Sequence, residues 1–563
     1  MKKKLLLFGL CIVFVLGLCS CGSSGSSDAE EAADTEEAIV SDIEVVANTG
    51  TYLGHDNDGV QEFLGISYAD PVGKWEVPQM VSTTSEDEVV CDEWGPSCFQ
   101  VDDDVEIASQ WKQSHDCLDL NVWTRDVTKE KKPVIVFIHG GGGWQGGTYD
   151  PCYDGEFFIR NLAEGEDAVL VSLNYRLGIF GSLNLSALEG YDEATYADAI
   201  NLATLDQELA LRWVNENIAS FGGDPENVTL MGQSFGAGSA CTLLTIPEAN
   251  QYFQHIILES GNIFNRQISL EKSEENSAKV FEILGVSSID ELMALSDDDI
   301  MAKYDQIDEE LHHPHRVADG KVIPLDGYQA LKDGVAKDID VMIGTVSGEY
   351  DFEAIDWDNS ISEPVTDPQP IIDYLEVMQD RAGDAIVKWS PLGHQDIIDE
   401  YLALGDDPVK RWMDLFNDSH YRQTAIFIAE ALSEAGSDVY MYYWEWAPDK
   451  EAVLKAEGDV AEVSPWGRPM HCMEQILVFG CVENGYPELA GPAEGIPEEL
   501  VQSTETTWYS FAKNGDPNND LIGEWSKYDT TDRETMIIGT DCSWEQQKDP
   551  RSEDRQVLDK IRP

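Results

Sequence analysis

The feature that most constrains the fold of this chain is a series of uninterrupted apolar runs. They lie within 133–138, 168–176, 227–234, 255–261 and 340–345. Runs of this kind are typical of strands that are buried on both faces of a mostly parallel sheet. A helical pattern lies between the second and third runs, where spacings of three and four separate Leu202, Leu205, Leu209 and Trp213. Strand, helix and strand in this order predict an α/β fold with a large, mostly parallel central sheet flanked by helices.

The third run ends in a serine that is crowded by glycines. Gly232-Gln233-Ser234-Phe235-Gly236 fits the pattern G-x-S-x-G, a sharp turn between strand and helix that exposes a nucleophilic serine. Glycine suits positions where the backbone turns too sharply for a side chain. The residues that follow, 235–245, are interpreted as a helix whose N-terminus favours negative charge near Ser234.

A serine hydroxyl needs a neighbouring base, and the base needs a carboxylate that orients it. In enzymes with this turn the chain order is serine, acid, histidine. His255 lies too close to the serine and is interpreted as a core histidine. Apart from a histidine-rich cluster at 312–315, the residues alone leave three candidates for the base: His394, His420 and His471.

A second glycine-rich segment, "HGGGGWQGG" at 139–147, closes the first apolar run. Glycines there let backbone N–H groups face a ligand, as a tetrahedral oxyanion requires. A flexible loop is the alternative interpretation. Phosphate binding is disfavoured, because neither G-K-[ST] nor G-x-G-x-x-G opening a helix is present.

These segments together resemble the type-B carboxylesterase family, which includes the cholinesterases. "HDCLDLNVW", "LNYRLGIFG", "LDQELALRWVNENIASFGGDPENVTLMGQSFGAGS" and "WYSFAKNGDPN" match the family in order along most of the chain. The resemblance implies an α/β-hydrolase fold and hydrolysis of small carboxylic esters through an acyl-enzyme, with no cofactor and no metal.

The resemblance also implies roles for particular residues. The family places its acid five residues after a glycine, here Gly344, and its base before a Glu-x-Ile-like run. Asp351 and Glu353 remain alternatives for the acid. The implied set is nucleophile Ser234, acid Glu349, base His471, and oxyanion donors Gly141, Gly142 and Phe235.

The chain departs from the family pattern at three positions near the implied site. Phe235 stands where alanine is usual, and its ring is expected to take up volume in the substrate pocket. Gly143 replaces the aromatic residue after the three glycines, with Trp144 one place later as a pocket wall or a loop-packing residue. Gly348 replaces the aspartate before the catalytic glutamate.

The cysteines indicate a disulfide rather than a metal site. The resemblance implies a bond between Cys98 and Cys117, and Cys241 is interpreted as a buried free thiol. No C-x-x-C pair is present, which disfavours a zinc ribbon. His312, His313 and His315 could bind a metal, but a solvated loop or helix end is the favoured interpretation. The sequence leaves open the pairing of Cys91, Cys152, Cys472, Cys481 and Cys542.

The N-terminus is typical of an export signal. A lysine-rich start and a short apolar stretch predict a signal peptide over 1–20. The residues around Cys21 resemble the bacterial lipobox, so Cys21 is predicted to carry a lipid, with plain secretion as the alternative. An acidic Ser/Gly tether over 21–42 and a single hydrolase domain over 43–563 complete the predicted organisation. The expected location is the outer side of a bacterial membrane.

Charge excludes some partners. Among 563 residues, 36 Lys and Arg face 107 Asp and Glu, for a net charge of −71. Such a surface repels nucleic acid and anionic lipid. Solubility or salt adaptation is the simpler interpretation, and steering of cationic substrates is the alternative.

Two alternatives to ester hydrolysis stay open: a non-catalytic surface recognition protein on the same scaffold, and an amidase or thioesterase. The sequence does not indicate the natural ester or the oligomeric state.

Overall fold

The structure is a computed structural model that describes residues 43–100, 112–311, 316–356, 360–382, 390–457, 463–482 and 495–562. The predicted signal peptide, Cys21, the tether and the histidine cluster at 312–315 lie outside these ranges. The strands are β1 (Ile43–Val46), β2 (Thr51–Asn57), β3 (Val60–Ser67), β4 (Glu88–Val90), β5 (Asp119–Thr124), β6 (Lys132–Ile138), β7 (Val169–Leu173), β8 (Gly223–Gln233), β9 (His255–Glu259), β10 (Gln267–Ser269), β11 (Arg316–Ala318), β12 (Asp340–Val346), β13 (Ile355–Asp356), β14 (Ser360–Pro364), β15 (Val439–Trp444), β16 (Glu534–Ile538) and β17 (Trp544–Lys548).

Helices flank these strands. They are α1 (Gly155–Asn161), α2 (Gly178–Gly181), α3 (Glu193–Tyr196), α4 (Leu202–Asn217), α5 (Phe235–Leu244), α6 (Pro247–Asn250), α7 (Leu270–Leu284), α8 (Ile289–Ala294), α9 (Asp297–Met301), α10 (Tyr304–Leu311), α11 (Gly327–Lys332), α12 (Gln369–Ala382), α13 (Gln395–Leu402), α14 (Pro408–Asn417), α15 (Gln423–Ala435), α16 (Lys450–Glu457), α17 (Gln475–Val478), α18 (Glu498–Asn514) and α19 (Ser552–Leu558). A π-helical turn, Asp418–Arg422, joins α14 to α15.

In the described part of the chain the main sheet has 13 strands, and its order along the sheet is β1-β2-β3-β5-β7-β6-β8-β9-β12-β15-β16-β17, with β4 beside β2. The strands from β7 through β16 in this order pair in parallel, whereas the pairs at both ends are antiparallel apart from the parallel pair of β2 with β4. All five apolar runs form strands of the parallel centre. The prediction of an α/β fold with a large, mostly parallel sheet is therefore confirmed.

Alternation along β6 explains why its apolar run is uninterrupted. Val134, Val136 and Ile138 pack into the core on one face of the sheet. Ile135 and Phe137 pack into the core on the other face. Successive side chains of a strand point to opposite faces, so a strand covered on both sides must be apolar at every position.

The predicted amphipathic helix forms α4, and Trp213 and Leu211 lie on its buried face. A short 3₁₀ turn, Ile218–Phe221, extends it to Gly222, whose φ of 85° lies in the left-handed region. Only glycine fits there without strain, and a Cβ on Gly222 would lie 2.1 Å from the Lys129 carbonyl oxygen.

The structure joins Cys98 to Cys117 in a disulfide, with 5.1 Å between the two Cα atoms. Cys241 is buried as a free thiol. The other cysteines of the described ranges form no disulfide: Cys91, Cys152, Cys472, Cys481 and Cys542. Within those ranges, no helix combines the length and the apolar composition needed to cross a bilayer.

A buried ion pair fixes the segment after β7 to α4. The Arg176 guanidinium donates to both carboxylate oxygens of Asp206, at 2.8 Å from Nε and 2.6 Å from Nη2. Both side chains are almost fully buried. Nη1 also donates to the Glu76 carbonyl at 2.6 Å, so the pair connects three segments of the chain.

Replacing Arg176 with methionine should lower the free energy of unfolding by about 3–5 kcal/mol, because Asp206 would stay buried without its partner. Urea denaturation measures this change. Arg212 offers a matched control, since its pair with Glu216 lies at the surface. Arg212→Met should cost less than about 1 kcal/mol. Equal losses in the two variants would contradict a structural role for the buried pair.

Candidate active site

Ser234 occupies a sharp turn between β8 and α5. Its φ of 57° and ψ of −122° lie in a region that side chains rarely adopt. Two glycines make this turn possible. A Cβ on Gly232 would lie 2.5 Å from the backbone of Gly236, and one on Gly236 would lie 2.0 Å from the Ile138 carbonyl oxygen. The serine therefore projects from the carboxyl end of β8, where ligands bind in sheets of this type.

Three side chains predicted to act together are in contact. His471 Nε2 lies 2.7 Å from Ser234 Oγ, and His471 Nδ1 lies 2.5 Å from Glu349 Oε2. The His471 backbone N–H also donates to the Glu349 carbonyl at 3.0 Å. Glu349 follows β12, two strands from β8 in the sheet, and His471 lies in the loop before α17. Serine, imidazole and carboxylate in this arrangement can transfer a proton from the hydroxyl to the ring.

Glu349 is held in place from its other side. Its Oε1 accepts hydrogen bonds from Ser260 Oγ at 2.7 Å and from the Val346 backbone N–H at 3.0 Å. The side chain is buried. These two donors leave Oε2 for the imidazole, so the ring has one preferred orientation.

The alternative acid Asp351 has another role. Its carboxylate accepts from Arg468 Nε at 2.8 Å and from Asn417 Nδ2 at 3.1 Å. Glu353 is half-buried in the 3₁₀ turn Asp351–Ala354. Asp351 also accounts for Gly348, because a Cβ at that position would lie 2.7 Å from Asp351 Oδ2.

Neither alternative base contacts the serine. His394 is an exposed residue at the start of α13. His420 is buried in the π-helical turn, where its ring stacks on Phe416 at 4.4 Å. Burial lowers the pKa of His420 to about 4, although its hydrogen bond to the Phe416 carbonyl opposes this effect. His255 lies in β9, as expected for a structural histidine.

The glycine-rich loop after β6 passes beside the serine. A Cβ on Gly140 would lie 3.1 Å from Ser234 Cβ. Gly141 and Gly142 have φ values of 84° and 64°, which turn the loop sharply. Phe235 is the first residue of α5, so its backbone N–H lies at a helix N-terminus. Gly140 thus lies against Ser234, Gly141 and Gly142 are the next two residues of the loop, and Phe235 directly follows the serine, while the oxyanion role of these residues stays a prediction.

The Phe235 ring occupies the space that the missing side chain of Gly143 leaves open. A Cβ on Gly143 would lie 2.5 Å from the Phe235 ring, so the ring fills the space above this glycine. The ring also stacks near Tyr175, at 6.5 Å between centroids, and is only 6% exposed. The expectation that it takes up substrate-pocket volume is therefore wrong, because the ring packs into the core. The two departures from the family pattern are therefore linked: the ring that the family usually has at position 143 is missing, and the ring of Phe235 fills that space.

Trp144 borders a pocket beside the glycine-rich loop. The indole is 3% exposed and acts as a wall of that pocket. Apolar side chains form much of the remaining lining, among them Ile179, Leu183, Ile268 and Val317. An apolar group of a small ligand could be accommodated there.

Several residues next to His471 were not predicted from the sequence. The rings of Tyr350 and Tyr421 lie 5.6 Å and 5.2 Å from the imidazole. The Gln233 amide nitrogen lies 3.5 Å from His471 Nε2, and its oxygen accepts from the Cys472 thiol at 3.2 Å. Gln233 could have been identified from its position before the serine, whereas Tyr421 reaches the site through a π-helical turn with no sequence signature.

Burial lowers the pKa of His471, but its contacts with Cys472 and the Glu349 carboxylate raise it, and the net result is a pKa well above the usual value. The His471 imidazole is therefore protonated at neutral pH more readily than a free imidazole. As to metal, the described parts of the chain contain no group of three or more His, Cys, Asp or Glu that could hold an ion.

Comparison with known proteins identifies the family. The model for the carboxylesterase family matches residues 41–557. A para-nitrobenzyl esterase of Bacillus subtilis is 32% identical over 91% of this chain and 98% of its own. A liver carboxylesterase of Sus scrofa is 30% identical over 74% of this chain and 72% of its own. The chain belongs to the carboxylesterase family and is a carboxylic ester hydrolase.

Solved structures agree with this assignment. A PNB esterase structure has a TM-score of 0.75 at 30% identity, and covers 92% of this chain and 99% of its own. A carboxylesterase of Geobacillus stearothermophilus has a TM-score of 0.74 at 27% identity over the same shares. The fold is therefore the α/β-hydrolase fold.

The kcat/KM for an ester should rise with pH through an apparent pKa above the free-histidine value of about 6.5, because only the neutral imidazole can accept the serine proton. In Glu349→Gln the carboxylate no longer raises the pKa of His471. The rise should then move to lower pH, and kcat should fall by about 10²–10⁴-fold. Stopped-flow or steady-state assays between pH 5 and 9 measure both effects. His394→Ala is the control, and a shifted profile in that variant would contradict the assignment.

Proposed function

We propose that Ser234, His471 and Glu349 are the catalytic triad of this ester hydrolase and that the reaction proceeds through an acyl-enzyme. The observation that carries the proposal is the continuous chain of contacts from Ser234 Oγ through both ring nitrogens of His471 to Glu349 Oε2. In this mechanism Ser234 attacks the ester carbonyl while His471 Nε2 accepts the hydroxyl proton.

The remaining steps follow from the same groups. The tetrahedral oxyanion accepts hydrogen bonds from the backbone N–H groups of Gly141, Gly142 and Phe235. His471 then returns its proton to the leaving alcohol, which leaves the acyl group on Ser234. Water attacks the acyl-enzyme with His471 as the base, and the acid product departs. Glu349 holds the ring orientation and stabilises the imidazolium in both steps.

The aliphatic part of the pocket beside Trp144 supports an apolar group as one half of the ester. Asp308 and several serine and asparagine side chains form the rest of its lining, so polar groups can also be accommodated there. Para-nitrobenzyl esters, which the name of the Bacillus subtilis relative indicates, are suitable first substrates. Thioesters and amides with the same acyl group test the alternative leaving groups, since they use the same catalytic residues.

Ser234→Ala should lower kcat for a para-nitrobenzyl or p-nitrophenyl ester by at least about 10³-fold, because the serine and its base act as one unit. An organophosphate should label the peptide that contains Ser234, as mass spectrometry would show. Ser510→Ala, on α18, is the matched control and should keep normal turnover. Activity retained by Ser234→Ala would refute the triad and require another nucleophile.

We also propose that Cys21 carries a lipid that anchors the enzyme on the outer side of the membrane. The signal-like residues 1–20 and the lipobox-like residues around Cys21 support this proposal. The net charge of −71 offers no electrostatic attraction to anionic lipid, so the acyl chains would be the main anchor.

In cells, Cys21→Ala should move the esterase from the membrane fraction to the soluble fraction. Cys19→Ala is the matched control, because bulky Leu18 precedes that cysteine, and this variant should stay with the membrane. Fractionation followed by immunoblotting measures both outcomes. Membrane retention of the Cys21 variant would rule out the lipid anchor.

A further inference from the structure

One buried arginine lies directly behind the proposed oxyanion residue Phe235. Arg316 is the first residue of β11, and its side chain is 4% exposed. Its backbone N–H donates to the Arg266 carbonyl at 3.0 Å, and β11 pairs in parallel with β10. The small β10–β11 sheet therefore holds the Arg316 backbone in position.

The guanidinium holds Phe235 at two points. Nη1 donates to the Phe235 carbonyl oxygen at 3.2 Å and to Ser239 Oγ at 3.3 Å. The guanidinium carbon lies 4.5 Å from the centre of the Phe235 ring, a cation–π distance. Nη2 donates to the Asn265 carbonyl oxygen. Main chain and side chain of Phe235 are thus both restrained by one group.

Gly238 makes this contact possible. A Cβ at that position in α5 would lie 2.5 Å from Arg316 Nη2. With glycine there, the guanidinium can lie against the first turn of the helix. The third glycine of the segment that begins at Gly232 thus makes room for the arginine, whereas the first two permit the turn at Ser234.

The charge of Arg316 is not neutralised locally. No ion pair to Arg316 occurs within the ranges that the structure describes, where its hydrogen-bond acceptors are two carbonyls and a hydroxyl. Its Nε is buried without a hydrogen-bond partner there. Burial lowers the pKa of Arg316 to about 10, with Cys241 and Tyr175 raising it and Arg266 lowering it. The group is therefore still a cation at neutral pH.

A buried cation without a carboxylate is unusual, because burying a charge is costly unless an opposite charge compensates it. Negative charge does develop near this position during catalysis. In the proposed mechanism the oxyanion accepts from the Phe235 N–H, and Arg316 contacts the carbonyl oxygen of the same residue. In a buried site a positive charge on a group that contacts the oxyanion donor favours the oxyanion more than it favours the neutral ester.

We propose that Arg316 is a positioning residue for the oxyanion hole, acting through Phe235. It restrains the carbonyl and ring of Phe235, so that the Phe235 N–H stays aimed at the oxyanion, and its charge favours the transition state over the bound ester. This inference rests on the proposed catalytic function. A misplacement of about 1 Å in such a donor costs on the order of 10²-fold in rate.

The test compares Arg316→Met and Arg316→Lys with the wild-type enzyme. Turnover is expressed per active site titrated with an organophosphate, so that unfolded protein does not count. Arg316→Met should lower kcat about 10- to 100-fold while KM changes less than about threefold. Arg316→Lys keeps the charge but loses the planar fork, so it should lower kcat only about 3- to 10-fold.

A transition-state analogue gives a second readout. A trifluoromethyl ketone forms a tetrahedral oxyanion adduct with the serine, so its affinity should fall in parallel with kcat/KM in both variants. The corresponding methyl ketone, which adds to the serine far less readily, should keep its affinity. Arg555→Met removes another buried arginine, one that pairs with Asp549, and should leave kcat and both inhibitor affinities unchanged.

The outcomes separate this inference from the proposed function. If Ser234→Ala stays active, the triad fails and Arg316 loses its role with it. If activity depends on Ser234 but Arg316→Met has wild-type kcat and inhibitor affinity, only the role of Arg316 is overturned. If Arg316→Met does not fold, Arg316→Lys decides, because a wild-type kcat and ketone affinity in that variant would overturn the positioning role.

Discussion

The left-handed backbone at Ser234 is the constraint on which the rest of the site depends. The turn can form only where Gly232 and Gly236 let two backbone segments come within contact distance. It places the serine at the carboxyl end of a central parallel strand. The residues that serve it must therefore come from loops at the same edge of the sheet. Glu349 follows β12 and Ser260 follows β9, so the parallel order brings both to the edge of the sheet where Ser234 lies, and there Ser260 Oγ donates to Glu349.

Buried carboxylates near the base have different environments. Burial raises the pKa of Glu259 to about 7, although Gln475 and Trp508 donate hydrogen bonds to it. Glu474 is also buried, and burial raises its pKa well above the usual value. Glu349 instead meets a hydroxyl, a backbone N–H and the imidazole. Glu349 thus differs from Glu259 and Glu474 in its hydrogen-bond partners rather than in its burial, and its carboxylate contacts His471.

The centre of the fold could be predicted from the sequence, because a strand covered on both faces must be apolar throughout. The strands at the two ends of the sheet lack that signature, and β1 to β4 were not predicted. Ser234 followed from local chemistry alone. His471 and Glu349 needed the family resemblance, since nothing local separates His471 from His420.

Other parts of the site could not be predicted because they depend on tertiary contacts. Arg316 reaches Phe235 only after β11 pairs with β10, and no spacing in the sequence records that distance. The π-helical turn that brings Tyr421 to the base also has no local signal. The direction of the Phe235 ring was misjudged because its space is created by a glycine almost a hundred positions away.

The exchange between Phe235 and Gly143 restricts the order in which this chain could have acquired its present site. Two rings cannot occupy the space between residue 143 and the helix, because a Cβ at 143 already meets the ring at 2.5 Å. A mutational path from a relative with an aromatic residue at 143 and alanine at 235 must lose the first ring before it gains the second. An intermediate with neither ring would leave a void beside Ser234. It is therefore the most poorly packed variant on the path between the two arrangements.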